Sequence, residues 1–339
     1  MMKGKNILLG HGSGGKLSHE LIEGLFVRYF QNPVLDEQTD SAVLGPVEGS
    51  LSFTTDSFVV DPVFFPGGDI GKLAVCGTVN DLAVSGADPL YLSAGFIIEE
   101  GFPMDDLEKI VKSMAEEARN AGVQIVTGDT KVVNRGHCDK IFINTTGIGK
   151  LPDKYTGISS GREIKPGDKI IVNGYLGDHG MAIMAARKEL NIESDLVSDC
   201  ASLNGLVKKA MEASENIRFM RDATRGGLAT VITEMVSGKP FGVMIDEDKI
   251  PVRESVRGFC ELLGFDPLYV ANEGKVVIVA AAEDEKRVVA ALRDHELGKD
   301  TRTIGEVSAE YPGKCWLATQ IGGRRIIDML AGEQLPRIC

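Results

Sequence analysis

Two runs of alternating helix and strand patterns, separated by one short irregular segment, constrain the fold of this chain most strongly. The separating segment, residues 151–167, is rich in glycine, serine, proline and charged residues, and we interpret it as a linker between domains. The chain has 339 residues, which is long for one hydrophobic core and sufficient for two. We predict an α/β or α+β protein with an N-terminal domain over residues 1–150, a C-terminal αβ domain over residues 151–320 and a flexible tail over residues 321–339.

Hydrophobic periodicity predicts the individual elements. Apolar residues at helical spacing in residues 17–26 predict an amphipathic helix. The strand predicted over residues 123–129 ends at Asp129, and the chain is predicted to become irregular after about Ile321. The other predicted strands cover residues 51–60, 90–98, 140–149, 168–174, 242–248 and 275–281. The other predicted helices cover residues 70–89, 104–122, 177–190, 203–214, 225–238, 252–264 and 283–295.

The composition argues against several classes of protein. Hydrophobic residues make up 43% and charged residues 25% of the chain, which is ordinary for a soluble globular protein. The formal net charge of −12 and the pI of about 5.0 disfavour nucleic-acid binding, because phosphate backbones attract basic surfaces. No apolar run is long enough to span a bilayer, and the first residues lack the apolar region of a secretory signal. We therefore predict a cytoplasmic protein with no nucleic-acid or membrane partner.

The cysteines are spread widely, and none forms a C-x-x-C pair. This spacing argues against a zinc ribbon and a disulfide scaffold, and it favours reduced thiols. Cys339, the last residue of the sequence, is unusual because chain ends are mobile and exposed, whereas thiols are most often buried. A thiol on a mobile segment can accept a group at one site and present it at another. The alternatives are an incidental cysteine or one half of an intermolecular disulfide.

Four aspartates of the first half stand where strands or loops are predicted to end: Asp40, Asp56, Asp81 and Asp129. Carboxylates that converge repel one another, so a folded protein rarely groups them without a cation. Mg²⁺ prefers oxygen ligands and usually bridges to the phosphates of a substrate. Each aspartate taken alone is better explained as a turn residue, a helix cap or a solvated side chain. Because glycine, serine or threonine stands beside each member, we favour a magnesium–nucleotide site for the set.

Two glycine-containing motifs have the composition of phosphate-binding loops. Residues 11–16 (HGSGGK, with Gly14 in the middle) combine flexible glycines with a following helix N-terminus. The spacing is not that of a P-loop, and a turn without a ligand is the alternative. Residues 222–228 (DATRGGL) precede a predicted helix, where the amides could face phosphate or where Asp222 or Thr224 could cap the helix.

Two charged residues extend these motifs. Lys131 lies two residues after Asp129, where it could contact phosphate as a point charge or form a surface ion pair. Glu273 stands between Asn272 and Gly274, just before a predicted strand. A glutamate there could act as a general base if burial raises its pKa, and the alternative is an ordinary turn residue.

In their order along the chain, these segments resemble the hydrogenase maturation protein HypE family. The similarity covers nearly the whole sequence and includes HGSGGK, FFPGGDIGKLAVCGT, TGDTKVV, VNGYLGDHG, RDATRGG, ANEGK and the final PRIC. The resemblance implies the two-domain fold of the superfamily that contains aminoimidazole ribonucleotide synthetase and selenophosphate synthetase. It further implies that ATP binds between the domains and that the N-terminal domains pair in a homodimer.

The resemblance also implies an activity, that of an ATP-dependent carbamoyl dehydratase. Cys339 would receive a carbamoyl group from the carbamoyltransferase HypF, and dehydration of the resulting thiocarboxamide would leave a thiocyanate. The cyanide would pass to iron on the HypC–HypD complex and end in the [NiFe]-hydrogenase centre. The tail would dock inward with ATP and swing outward otherwise.

Each motif has an expected role in this activity. Mg²⁺ would be held by Asp56, Asp81 and Asp129, with Asp40 nearby. Lys131 would stabilise the transferring phosphoryl group or the carboxamide oxygen, and Glu273 would accept a proton. The expected catalytic residues are Cys339, Lys131 and Glu273. The expected nucleotide-binding residues are Gly14, Asp56, Asp81, Asp129, Thr130 and Asn272.

Two rival functions have distinguishing features. Selenophosphate synthesis on the same scaffold usually relies on a cysteine or selenocysteine in the N-terminal glycine loop, where this chain has His11 and Ser13. A thiol carrier without catalysis would need neither the acidic residues nor a nucleotide. ATP hydrolysis therefore separates the carrier from the enzyme.

Overall fold

The computed structural model describes residues 6–39, 41–187, 194–330, 332, 335 and 337–339. Within these ranges the chain forms two large sheets, one before and one after the segment predicted as a linker. Asp40, predicted as a metal ligand, lies outside the described residues, so its role stays a prediction. In the same ranges, no helix is both long and apolar enough to cross a membrane.

Four strands form the N-terminal sheet in the order β1-β6-β4-β5. β4 runs parallel to β5, and the other neighbouring pairs are antiparallel. A short hairpin, β2–β3, follows β1. The strands are β1 (Ser50–Phe58), β2 (Phe64–Phe65), β3 (Gly68–Asp69), β4 (Asp88–Glu99), β5 (Gln124–Val133) and β6 (Ile141–Leu151).

Helices cover one face of this sheet. The predicted amphipathic helix near the start is present as α1 (Lys16–Leu21), a π-helical turn (Ile22–Val27) and α2 (Arg28–Phe30). α4 (Met104–Ala121) is amphipathic and ends at Gly122, whose φ of 73° is left-handed. α3 (Ile70–Val84) is apolar on nearly all sides because it packs against β1, β6 and α4 as well as against α6 and β8 of the second domain.

The opposite face of the N-terminal sheet is open and partly apolar. The side chains of Leu51, Phe53 and Ile97 are 57%, 69% and 45% exposed. Alternation along β1 explains the two faces, since Phe53 points outward while its neighbours Thr54 and Asp56 point toward α3. Isolated exposed apolar residues are common, but a row of them across one sheet is a feature of interaction surfaces.

Seven strands form the C-terminal sheet in the order β13-β12-β9-β11-β7-β10-β8. Only β12 and β9 are parallel, so the sheet is predominantly antiparallel. Its strands are β7 (Lys169–Val172), β8 (Ile217–Asp222), β9 (Gly242–Asp246), β10 (Val276–Ala280), β11 (Arg302–Ser308), β12 (Cys315–Ala318) and β13 (Arg324–Ile327).

Helices cover both faces of the C-terminal sheet. On β7, Ile171 packs with α6 and α9, while Ile170 and Val172 pack with α7 on the other face. A separate core at the domain boundary includes α5, α8 and Ile338 together with the N-terminal domain. The helices are α5 (Asp178–Ala186), α6 (Asn204–Ala213), α7 (Gly227–Val236), α8 (Glu254–Leu263) and α9 (Glu285–Arg293). The predicted two-domain fold of mixed helices and sheets is confirmed.

Several predicted boundaries were wrong. β5 continues to Val133, so the pair Gly128-Asp129 lies within the strand and does not form a turn. Glycine is needed at position 128 because a side chain there would come within 2.4 Å of the Ala94 carbonyl oxygen of β4. β8, β11, β12 and β13 were not predicted, since glycine or charged residues interrupt the apolar pattern of β8, β11 and β13, and β12 has only four residues. β13 lies inside residues 321–339, so part of the segment predicted as an irregular tail belongs to the C-terminal sheet.

Candidate active site

A cavity of about 50 Å³ lies between the two domains. β1 and α3 contribute Asp56 and Asp81 from the N-terminal domain. The end of β8 and the segment before β10 contribute Asp222 and Glu273 from the C-terminal domain, and Arg225 and Cys339 complete the wall. A neighbouring cleft of about 660 Å³ shares Ser57, Arg225 and Cys339 with it. Three predicted site residues therefore line the same cavity as Cys339: Asp56 and Asp81 from the N-terminal domain and Glu273 from the C-terminal domain.

Threonine hydroxyls hold the two aspartates of the N-terminal domain. Thr78 donates a hydrogen bond to Asp56 Oδ2 at 3.0 Å, and Thr54 donates to Asp81 Oδ2 at 2.8 Å. One bond runs from β1 to α3 and the other from α3 to β1, so each carboxyl group is held by a threonine of the facing element. Burial raises the pKa of Asp56 to about 6, with a further contribution from the nearby charge of Asp81, and burial also raises the pKa of Asp81.

The acidic groups of the C-terminal domain increase this effect. Burial raises the pKa of Asp222 to about 7, and the charges of Asp81 and Asp56 add to it. Glu273 is 2% exposed, and burial together with the charge of Asp222 raises its pKa well above the usual range. These mutual effects show that the carboxyl groups from both domains repel one another across a small space.

The donor chemistry of this cavity suits Mg²⁺. Within the described part of the chain, no three histidine, cysteine, aspartate or glutamate side chains are arranged to hold a metal by themselves. Mg²⁺ commonly takes one or two carboxylates and completes its shell with phosphate and water oxygens. Asp56, Asp81 and Asp222 supply carboxylate oxygens only, and a cation beside them would relieve their repulsion. The site therefore fits a magnesium ion shared with a nucleotide.

A buried ion pair positions the segment that carries Glu273. Asp199 accepts hydrogen bonds from the backbone N–H groups of Glu273 and Gly274, at 3.1 and 3.2 Å. Lys275 pairs with Asp199 at 2.8 Å, and both side chains are largely buried. Burial by itself would raise the pKa of Asp199, but Lys275 reverses this and holds that pKa below its usual range. The backbone of Glu273 is therefore fixed by charge-assisted hydrogen bonds.

Asn272 supports the site from behind and does not line the cavity. Its side-chain amide donates to the carbonyl oxygens of Ala223 and Val270, at 2.9 and 3.0 Å, and its side-chain oxygen accepts the N–H of Gly177 at 2.7 Å. Because the buried side chain is fully used in this way, its position does not support the predicted contact between Asn272 and the nucleotide.

Residues 337–339 lie beside the segment that follows β1, with Ile338 buried and with Arg337 and Cys339 half-buried. The N–H of Val59 donates to the carbonyl oxygen of Cys339 at 3.1 Å, and the N–H of Asp61 donates to that of Arg337 at 3.2 Å. This pairing is antiparallel and continues beyond the end of β1. The Arg337 side chain donates to the Val59 carbonyl oxygen at 3.0 Å and forms an ion pair with Asp139. Cys339 thereby lines the cavity together with the carboxyl groups of both domains.

The structure separates Asp129 from the other predicted metal ligands. Asp129 lies opposite Gly95 on β4, Gly95 opposite Asn144 on β6, and Asn144 opposite Ser57 on β1. Residues paired in this way share one face, so Asp129 shares the open face with Ser57, whereas Asp56 points to the covered face. Three strand spacings of ~4.8 Å also separate β5 from β1, about 14 Å in total. Asp56 and Asp129 of one chain therefore cannot bind one ion, which corrects the predicted ligand set.

The other residues predicted around Asp129 accompany it. Lys131 pairs with Asp129 at 2.8 Å, and this contact lowers the pKa of Asp129; both side chains are more than half exposed. Thr130 and Gly14 line, with them, a second pocket of about 210 Å³ against the helical segment near the start of the chain. The predicted nucleotide-binding residues Gly14, Asp129 and Thr130, and the predicted catalytic Lys131, thus lie apart from Cys339 within one chain.

Comparison with known proteins agrees with this architecture. The family models of AIR synthase related proteins match this chain, the N-terminal domain at residues 38–151 and the C-terminal domain at residues 165–316. A carbamoyl dehydratase HypE from Rhodobacter capsulatus is 50% identical over 341 residues, which cover 100% of this chain and 99% of the relative. The chain belongs to the HypE family.

Solved structures of HypE proteins are also similar. A hydrogenase maturation protein HypE in complex with ATP is 50% identical and has a TM-score of 0.92, over 98% of this chain and 99% of that one. A chain from a HypE–HypF complex is 50% identical and has a TM-score of 0.79, over 91% of this chain and 99% of that one.

Two residues of the HypE-type cavity were not predicted to act there. Asp222 was considered only as a helix cap, but it ends β8 and points its charge toward Asp56 and Asp81. Arg225, which follows in the same motif, lines both the cavity and the neighbouring cleft. The motif DATRGGL had been selected for its glycines, so the signal was present, but its acidic and basic members were not assigned to the site.

Proposed function

We propose that this chain uses ATP to remove water from a carbamoyl group carried on Cys339, and that the thiocyanate formed supplies cyanide for [NiFe]-hydrogenase maturation. The observation that carries this proposal is the presence of Cys339 in the lining of one cavity with Asp56, Asp81, Asp222 and Glu273. The name of the Rhodobacter capsulatus relative and the ATP complex of a similar chain support the same activity.

The reaction needs a better leaving group than the carbamoyl oxygen. Transfer of the γ-phosphoryl group of ATP to that oxygen forms an O–P bond and releases ADP, while the nitrogen loses one proton. Cleavage of the C–O bond then expels inorganic phosphate with the electron pair, and loss of the second nitrogen proton completes the nitrile. Because the substrate is attached to the same chain, the reaction is intramolecular and gains from proximity.

Glu273 is proposed as the proton acceptor. It is buried beside Asp222 and its backbone is held by Asp199, so its carboxyl group has a fixed position in the cavity. A raised pKa makes it a stronger base than a surface glutamate once it is ionised. Asp56, Asp81 and Asp222 would hold Mg²⁺, which would offset phosphate charge when bound.

The open face of the N-terminal sheet is proposed as a homodimer interface. Leu51, Phe53 and Ile97 form an exposed apolar surface there, on strands whose other face is covered by α3 and α4. Asp129 and Lys131 lie on the same open face. Pairing of two such sheets would carry Lys131 of one chain toward the partner chain, which offers a route by which Lys131 could serve a cavity that it does not reach in its own chain.

Partners follow from the chemistry of the tail. The thiol must meet the HypF carbamoyltransferase before dehydration and the HypC–HypD complex afterwards, so residues 337–339 must leave the cavity in each cycle. The solved structure of a HypE–HypF complex, one chain of which is 50% identical to this one, supports the first partner. We expect ATP to favour the inward position and the protein to work in the cytoplasm, where thiols stay reduced.

Intact-mass spectrometry tests the proposal. Incubation with the partner transferase, carbamoyl phosphate and ATP should add one carbamoyl group, and MgATP should then remove one water from the adduct with release of ADP and phosphate. Whole-protein masses are needed because trypsin cleaves after Arg337 and leaves only Ile338-Cys339. Cys339→Ala should abolish both mass changes. A carbamoyl adduct that is stable in MgATP would refute the enzyme and leave a thiol carrier.

A further inference from the structure

Helix α5 and the residue after it contact the docked segment, residues 337–339, from the C-terminal domain. Nε2 of His179, in the first turn of α5, lies 2.9 Å from the carbonyl oxygen of Ile338. Nη2 of Arg187, directly after α5, lies 3.1 Å from the carbonyl oxygen of Arg337, and its Nε donates to the carbonyl oxygen of Asp61 at 3.1 Å. The docked segment is thus held on one edge by backbone groups and on the other by two side chains.

The partners of His179 fix it as a hydrogen-bond donor to the tail. Its Nδ1 lies 2.7 Å from the hydroxyl of Ser198, and that hydroxyl already accepts the N–H of Cys200 at 3.1 Å. Because a carbonyl oxygen can only accept, Nε2 carries the ring proton, and in the neutral ring Nδ1 then accepts a hydrogen bond from the Ser198 hydroxyl. Burial lowers the pKa of His179, which keeps the ring neutral in this arrangement.

The surroundings hold the ring in one orientation. His179 is completely buried, and Phe65 contacts it edge to face with ring centroids 5.6 Å apart. Withdrawal of the tail removes the acceptor of a buried donor, which is unfavourable unless water replaces it. The side chain of Ile338 is 4% exposed, so burial of this apolar group favours the same docked position.

We propose that His179 and Arg187 are positioning residues that set the fraction of time Cys339 spends in the cavity. They act through the carbonyl oxygens of Arg337 and Ile338, the two residues that precede Cys339. The kinetic part of this inference rests on the proposed dehydration of a group on Cys339, whereas the docking part does not. Loss of one such hydrogen bond should shift the docking equilibrium toward the outward position by about 5- to 10-fold.

Alkylation of Cys339 measures docking without reference to the reaction. The experiment uses the full-length protein in a Cys138→Ser background, because Cys138 is the other half-buried cysteine among the described residues. Iodoacetamide labelling is followed in the six-residue peptide 334–339 that cleavage after Glu333 releases. His179→Ala should label about 5- to 10-fold faster than the parent. His179→Gln retains an N–H donor and should stay close to the parent, and the exposed His137→Ala serves as a matched control.

Arg187→Gln gives a second variant should His179→Ala fail to fold, and it should also label several-fold faster. Equal labelling rates in the parent and in every folded variant would overturn the proposal. Single-turnover dehydration of preloaded protein provides the second readout. The maximal rate should fall in His179→Ala by a factor similar to the labelling change, with the KM for ATP unchanged and with recovery in His179→Gln. A raised KM without faster labelling would indicate a damaged nucleotide site and would also overturn the proposal.

Discussion

The side-chain oxygen of Asn80 accepts a hydrogen bond from the backbone N–H of Leu203 at 2.7 Å, which joins the two domains through helix α3. The amide of Asn80 also donates to the carbonyl oxygens of Ala201 and Glu273, at 3.1 and 3.3 Å. Since Asp81 follows Asn80 in α3, one helical turn fixes an acidic group of the N-terminal domain relative to Glu273 of the C-terminal domain.

Replacement of Asn80 should destabilise the protein strongly. Asn80→Ala leaves the buried N–H of Leu203 without its partner and removes one hydrogen bond each from the carbonyl oxygens of Ala201 and Glu273, which should lower the free energy of unfolding by about 2–4 kcal/mol. Urea unfolding monitored by circular dichroism measures this change. Asn134→Ala, at an exposed turn, is the control and should be near neutral. If Asn80→Ala lowers the free energy of unfolding no more than Asn134→Ala does, the domain boundary does not depend on Asn80.

Glu273→Gln should separate loading from dehydration. The substitution keeps the size of the side chain but removes the proton acceptor, so the thiocarboxamide should accumulate while its dehydration slows by about 10²- to 10⁴-fold. Intact-mass time courses after addition of MgATP measure the loss of water. Normal dehydration by Glu273→Gln would show that another group takes the proton.

Stability of the nucleotide-free protein should fall as pH rises from about 4 to 7. Burial and neighbouring carboxylates raise the pKa of Asp56 to about 6 and that of Asp222 to about 7 in the folded protein, above the ordinary value of 3.8. The folded state therefore binds more protons than the unfolded state in this window, so its stability is greatest below the window and is lost as pH rises through it. Asp222→Asn should flatten this dependence and should melt at a higher temperature than the parent at pH 8.

Thermal melts between pH 5 and 8 without nucleotide measure the effect. Asp300→Asn, an exposed residue, provides the control and should keep the slope of the parent. MgATP should raise the melting temperature of the parent more at pH 8 than at pH 5.5, because a cation then offsets ionised carboxylates. Parallel melting curves for the parent and Asp222→Asn would show that the raised pKa of Asp222 does not influence stability.

Mixed dimers test whether Lys131 acts on the partner chain. Lys131→Ala and Cys339→Ala should each be inactive when expressed alone. A mixed dimer, purified through two different N-terminal tags, contains one cavity with an intact Cys339 and a partner with an intact Lys131. That dimer should recover about half the dehydration rate of the parent dimer. Complete inactivity of the mixed dimer would mean that both residues must belong to one chain, and a monomeric parent in sedimentation would remove the premise.

Much of the fold could be predicted from hydrophobic periodicity, and the exceptions share a cause. α4 and α9 have strong amphipathic patterns, and their predicted ranges agree closely with the structure. β11 was missed because Gly305 and Glu306 interrupt its apolar pattern, although pairing with β7 and β9 on both sides stabilises it. Tertiary pairing, which no local pattern contains, outweighs β propensity in such strands.

Prediction of the candidate site succeeded and failed for the same reason. Asp56, Asp81, Glu273 and Cys339 were predicted as members of one site, and the structure brings them to one cavity. Asp129 was assigned to the same site because glycine and threonine flank it, as small or hydroxyl residues flank the other aspartates. Such local sequence does not specify which face of a sheet a residue occupies. That face depends on strand order and register, and here both place Asp129 beside Lys131 on the open side.

Because residues 337–339 are hydrogen-bonded to residues 59–61, an insertion near the end of the chain has a different effect before and after this anchor. One residue inserted between the anchored Ile338 and Cys339 would move the sulfur by as much as ~3.3 Å relative to its anchor. Insertions between β13 and the buried Leu335 would leave the spacing from Ile338 to Cys339 unchanged. The position of the Cys339 sulfur therefore depends on its spacing from the buried Ile338. The length of the preceding segment can vary in evolution without changing that spacing.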